Sequence, residues 1–328
     1  MKLYQFEYPI AVMSHVLAVS SSGYYAWLNR KPNLRVQCDA ILEVHVKAAH
    51  EATRQTYGDE RLHVELEANS VVISTYKVRA LRQRLGLFCR QKKRYKCTTN
   101  SNHSKTVAPN LLEQNRTVTR PNQVWVSDIT YIWINEGWLY LAGIKDLYSC
   151  EIVGYAIGER MTVGLCIAAL QMARPKAGLI LHSDRGSQYC AKAYQQLLSV
   201  VGIIASMSRR GNCYDNAPME SFWGSLKNEL IHQETYARRQ TAIDEIVEYI
   251  EIFYNRKRRH ASLGNISPAQ ALKQFKLRQE ELVLSGSVHF IQQGSDGLGI
   301  KKCLKLLGRR LCHEIKNNIL LFFEIYSR

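Results

Sequence analysis

The chain has 328 residues, 46% hydrophobic and 22% charged, which is length for about two domains and excludes a disordered, collagenous or low-complexity protein. Its formal charge of +16 is uneven: residues 1–122 carry 19 basic and 9 acidic side chains, 123–235 carry 9 and 10, and 236–328 carry 16 and 9. Its longest apolar runs, Val163–Ala173 and Ile319–Phe323, are too short to cross a bilayer, no secretory signal opens the chain, and nine cysteines without a Cys-x-x-Cys pair suggest neither a disulfide scaffold nor a zinc finger but a reducing cytoplasm.

The first segment reads as helical. Ile10–Val19 is apolar-periodic, Ser20–Gly23 is a turn and Tyr24–Leu28 resumes, the outline of a helix-turn-helix. Helical runs follow at Ile41–His50, Gly58–Ala68 and Ser74–Leu85, with Ser74 as N-cap and Gly86 as stop. Lys77, Arg79, Arg82 and Arg84 lie on the third run, and Arg90–Arg94 continues the basic character. Such a face can simply be solvated, but a basic helix leading into a basic arm is what DNA phosphates require. Residues 97–122, polar and containing Pro109 and Pro121, read as a linker.

The texture then changes. Val124–Ile134, Trp138–Lys145 and Glu151–Gly158 are strand-like, followed by a helix at Thr162–Ala173, a strand at Gly178–Leu181, a helix at Ala191–Val200, a strand at Ile203–Ser206 and a helix near Ala217–Leu230. Strands in succession and then β-α-β-α predict an α/β domain with a mixed five-stranded sheet and helices on its faces. Thr241–Tyr254 is an amphipathic helix ending in Arg256-Lys257-Arg258-Arg259, four cations that self-repel without an anion and so read as phosphate contacts. Ser285–Gly299 is loop-like and Lys301–Phe323 helical. The predicted organisation is 1–96 helical, 97–122 linker, 123–272 α/β core with its basic helix, and 273–328 an unassigned basic tail.

Three acids of the neutral middle stand out. Asp128 lies inside an apolar strand, where an uncompensated carboxylate is costly. Asp184 follows a buried strand, at the crevice where α/β sheets place their sites. Glu220 projects from the first turn of a helix opened by Asn216-Ala217-Pro218. Each has an ordinary explanation alone: an ion pair, a turn cap, an offset to the helix dipole. Together they can converge on one or two hard cations. Lys227, two turns after Glu220, shares its face. His182 and Asn216 stand where they could orient the acids.

The stretches Trp125–Tyr131, His182–Tyr189 and Gly211–Trp223, with 35 residues between Asp184 and Glu220, resemble the DDE transposases of bacterial insertion sequences. The chain looks like the downstream-frame (OrfB) product of the large insertion-sequence family three. The resemblance runs from about Ala11 to Leu272 and takes in Tyr254–His260 and Ser267-Pro268. It implies a fold similar to the retroviral integrase core, of RNase H type, with Asp128, Asp184 and Glu220 holding two Mg²⁺ or Mn²⁺ ions for nicking at the element's ends and strand transfer. It also implies Lys227 on a phosphate near the scissile bond, the terminal inverted repeats and target DNA as partners, a homo-multimer on paired ends, and the upstream-frame (OrfA) protein or its frameshift fusion. The family pattern ends soon after Ser267-Pro268, so the resemblance gives no account of 275–328. A DNA-binding regulator with an inert core and an RNase H-like nuclease without strand transfer are the other readings. The intact acid set argues against the first and the basic flank against the second.

Overall fold

The computed structural model describes residues 1–31, 33–89, 108–112, 117–208 and 216–293, the side chains of 282–293 excepted. The chain divides into two compact units, Met1–Gln91 and Lys92–Arg328.

The first unit holds α1 (Ile10–Val16), α2 (Ser21–Leu28), α3 (Leu34–Ala52), α4 (Asp59–Ala68) and α5 (Thr75–Arg84). Side-chain caps set several starts, because the first amides of a helix have no partner within it. Ser20 Oγ accepts from the Gly23 amide at 3.1 Å, which winds most of the expected Ser20–Gly23 turn into α2. Asn33 Oδ1 accepts from Val36 N at 2.8 Å, so α3 begins well ahead of the expected Ile41. Ser74 caps α5, and Gly86, at φ +63°, lets the chain leave it. Val46, Leu62, Leu66, Val78 and Leu81 bury the α3–α5 core.

The α5 cations expected to contact phosphate each pair with an acid of their own unit. Lys77 Nζ lies 2.6 Å from Asp39, Arg84 pairs with Asp39 and Glu43, and Arg79 and the buried Arg82 both pair with Asp59. Three acids on α3 and α4 thus offset most of the charge of the four α5 cations within the unit. The basic run Arg90–Arg94 lies outside the described residues.

The second unit is built on β1 (Val124–Ile134), β2 (Gly137–Asp146), β3 (Ile152–Gly158), β4 (Ile180–Ser183) and β5 (Ile204–Met207), in sheet order β3-β2-β1-β4-β5. β1, β2 and β3 pair antiparallel, while β4 and β5 run parallel to β1. α6 (Val163–Ala173) and α7 (Lys192–Val201) pack on one face, and α8 (Ala217–Glu229) and α9 (Arg239–Glu248) on the other. α6 sits against β3 because Gly154 has no side chain; a Cβ there would stand 2.4 Å from the Ala169 carbonyl oxygen.

Three segments differ from expectation. The end of the supposed linker is built into the unit: Leu112 is buried in its core, the Leu111 amide donates to Ser206 Oγ at 3.0 Å, and the Met207 amide donates to the Pro109 carbonyl. α9 gives way to a π-helical stretch, Tyr249–Lys257, before the basic run ends. α10 spans Pro268–Gln293, so the loop expected from Ser285 is helix as far as Gln293; Lys301–Phe323 lies outside the described residues. Among the described residues no helix is long and apolar enough to cross a membrane.

Candidate active site

β1 and β4 bring two of the acids side by side. Their parallel ladder ends with Ser127 opposite Ser183, and the next residue on each chain is Asp128 and Asp184. Neighbouring strands lie about 4.8 Å apart, so the two carboxylates leave the sheet together at the carboxyl end of β4. Gly186 shapes the second. Its amide donates to Asp184 Oδ1 at 2.8 Å, and a Cβ on it would approach that oxygen to 2.9 Å.

Asp128 points to the α8 face of the sheet. Trp223 Nε1 donates to its Oδ2 at 3.0 Å. The indole reaches that far because Gly143, paired with Asp128 across β1 and β2, offers no side chain; a Cβ there would stand 2.7 Å from the ring. Glu220 lies three residues before Trp223 and Lys227 four after it, so α8 presents an acid, an indole and an amine along one stripe. Glu220 is exposed, whereas Lys227 is buried with its Nζ 5.1 Å from the centre of the Tyr131 ring.

The electrostatics register this grouping. Burial and the neighbouring charge of Asp184 push the Asp128 carboxyl up to about 7, with Glu220 adding to the rise, while the Ile129 amide and Trp223 indole oppose it. Burial lowers Lys227 to about 8, against the attraction of Asp128. Among the described residues no three acid, histidine or cysteine side chains already stand close enough to enclose an ion. The donor chemistry nevertheless fits a hard divalent cation, since all three groups are carboxylates and two adjoin across the ladder.

The remaining predicted residues divide. His182 is fully buried and bonds Ser206 Oγ through Nδ1 and Ser208 Oγ through Nε2, both at 2.9 Å, contacts that tie β4 to β5 and the segment after it. Asn216 is buried at the N-cap of α8 but makes no side-chain cap, and its Oδ1 has no partner among the described residues. In the basic run, Arg256 and Lys257 are exposed, whereas Arg258 and Arg259 are buried. Arg258 binds both oxygens of Glu229, which also accepts from Tyr249, and Arg259 donates to the Asn265 carbonyl at 3.0 Å. The expectation of four phosphate contacts is corrected accordingly: the backbone turns two of the cations inward.

Sequence reasoning missed Trp223 and Gly143, whose partnership depends on cross-strand register, and Tyr189, whose hydroxyl lies 2.9 Å from Ser127 Oγ beneath the site. It also missed Asn255, which exchanges two hydrogen bonds with the Ile152 backbone and clamps the π-helical stretch to β3.

A mixed sheet of this order, with acids within β1, directly after β4 and on a covering helix, defines an integrase-type core. Family models agree: two described as "Integrase core domain" match residues 118–213 and 201–268, and one described as "HTH-like domain" matches 37–95. The chain is 57% identical over 261 residues to the "Insertion element IS600 uncharacterized 31 kDa protein" of Shigella sonnei, an alignment covering 78% of this chain and 96% of that protein. It is 40% identical over 278 residues to "Transposase InsF for insertion sequence IS3A" of Escherichia coli (strain K12), covering 81% and 95%. This chain therefore belongs to the IS3-type insertion-sequence transposases. Among solved structures, the catalytic core domain of BIV integrase aligns over 48% of this chain and 99% of its own, at 19% identity and a TM-score of 0.37, too loose a likeness to carry an argument.

Proposed function

We propose that this transposase nicks DNA at the ends of an insertion sequence and joins those ends to target DNA, with Asp128, Asp184 and Glu220 as its catalytic acids. The observation that carries the reading is the emergence of Asp128 and Asp184 one residue beyond a shared ladder pair, beneath a helix bearing Glu220, Trp223 and Lys227. The three carboxylates would hold Mg²⁺ or Mn²⁺, as one ion or two. When bound, the metal supplies activation of the attacking water or 3′-hydroxyl and stabilisation of the leaving 3′-oxygen.

The chain's own residues set the geometry. Trp223 fixes one oxygen of Asp128 and the Gly186 amide fixes one of Asp184, leaving Glu220 to close from solvent. Lys227 holds a phosphate beside the scissile bond, where a partly desolvated ammonium interacts more strongly than it does in water. Arg79, Arg256 and Lys257, whose side chains are exposed, grip the DNA backbone farther out. Residues 37–95 carry helix-turn-helix-like contact to the terminal inverted repeats. The partners on this reading are those repeats, target DNA, further copies of the chain, and the upstream-frame protein or its fusion.

The test is nicking and joining of labelled oligonucleotides bearing the element's flanking ends, with Mg²⁺ and with the upstream-frame protein supplied in parallel. Joined products from wild type that disappear with Asp184→Asn are expected. Binding without cleavage under every condition would favour an inert DNA-binding regulator.

A further inference from the structure

We propose that one face of the β1–β2 hairpin is a stacking platform for nucleobases of the DNA strand held at the acids. This rests on the catalytic reading above and names a contact that the reading does not supply. Register puts Tyr131 opposite Tyr140 and Trp133 opposite Trp138, so all four rings share one face. The Trp138 ring centre lies 5.2 Å from that of Tyr131 and 4.9 Å from that of Trp133, each in an edge-to-face arrangement.

Two indoles in this arrangement are conspicuously wet, Trp133 at 61% exposure and Trp138 at 44%. They are not needed for the hairpin's core, because Ile132, Ile134 and Leu139 bury the opposite face. Aromatic faces in contact with water beside a phosphate site match the chemistry of a base, which stacks whatever its sequence.

The platform lies on the sheet face opposite Asp128, because successive residues of β1 alternate faces, and Lys227 links the two sides past the end of β4. The Lys227 ammonium sits over the Tyr131 ring and feels the charge of Asp128, so a phosphate on Lys227 places its neighbouring bases towards the aromatic row. β4 pairs with β1 only as far as Ser127, so β1 runs on past its partner from Asp128. Trp133 stands five positions beyond Asp128 and on the other face of the strand, about 16 Å along it, or about five stacked steps of 3.4 Å in DNA.

A cross-strand tryptophan pair can also serve only to stiffen a hairpin, and the test separates the two roles. Full-length chain is titrated with an element-end oligonucleotide carrying 2-aminopurine at each of the five nucleotides nearest the scissile phosphate. Wild type is compared with Trp133→Ala, Trp138→Ala and the corresponding phenylalanine variants, then all are repeated with an abasic residue at the responding position. The platform predicts quenching at one or two positions and about tenfold weaker binding for each alanine variant. It also predicts recovery with phenylalanine, and no further loss when an alanine variant meets the abasic strand. Equal weakening on intact and abasic strands would assign the pair to hairpin stiffness and overturn the proposal, as would the absence of any responding base. The readout requires no cleavage. A responding base on a chain that never joins DNA overturns the catalytic reading alone.

Discussion

Asp128 depends on a side chain that comes from another element. The Trp223 indole donates to it, and Gly143 leaves the space in which that indole lies. Trp223→Phe keeps a ring in the pocket but removes the donor, and a hydrogen bond to a charged group is worth about 1.5–3 kcal/mol. Strand joining should fall about tenfold or more, and the melting temperature should drop by several degrees at most. Gly143→Ala should be worse, because its Cβ would displace the indole and misplacement by about 1 Å can cost about a hundredfold in rate. Single-turnover joining assays on both variants check this order. The acids themselves were legible from sequence, since a carboxylate in an apolar strand and another just past a buried strand are conspicuous. Trp223 and Gly143 were not, because nothing local reveals that residue 143 faces residue 128.

The C-terminal end of α8 is held by an ion pair between elements. Arg258, leaving the π-helical stretch, binds Glu229 through two nitrogens while Tyr249 donates to the same carboxylate. Charges this buried stabilise only as a pair, so Arg258→Ala should cost about 3–5 kcal/mol by stranding Glu229, and replacing both by methionine should restore much of it. Denaturant unfolding of the full chain measures both. The inward turn of Arg258 could not be read from Arg256–Arg259, because a switch from α to π winding changes which of four adjacent cations faces the core.

In the first unit, burial raises the Asp59 carboxyl but hydrogen bonds from Arg79 and Arg82 outweigh it, leaving it below the ordinary value. A depressed carboxylate contributes stability that is present above its unfolded pKa of about 3.9 and is lost as pH falls through the folded value. Asp59→Asn should therefore cost about 1 kcal/mol near neutral pH and flatten the acid limb of the unfolding curve. Equal acid sensitivity in wild type and variant would contradict the pairing. The caps at Ser74 and Gly86 were readable in the sequence; the acids that pair with the α5 cations were not, since Asp39 and Asp59 are distant in the chain.

Across the whole molecule, the division into a nearly neutral middle and basic flanks survives, but the number of cations available to DNA is smaller than the composition suggests. Lys77, Arg82, Arg84 and Arg258 are engaged with acids of their own units. Salt dependence of DNA binding should reflect this. Arg256→Ala and Lys257→Ala should each reduce the slope of log affinity against log salt by about one, in line with loss of a phosphate contact, whereas the Glu229→Met/Arg258→Met pair should leave it unchanged. The α/β architecture was legible because strands and helices alternate with clear periodicity. The packed end of the linker at Leu112 was hidden by two prolines and a polar composition.

The most direct measurement of the central claim is strand joining by Asp128→Asn, Asp184→Asn and Glu220→Gln, each paired with an affinity measurement on the same element-end DNA. The account predicts that each variant binds the end within a few-fold of wild type and loses joined product by at least a hundredfold. A variant that binds and joins at the wild-type rate would remove that acid from the site, and with it the three-carboxylate centre.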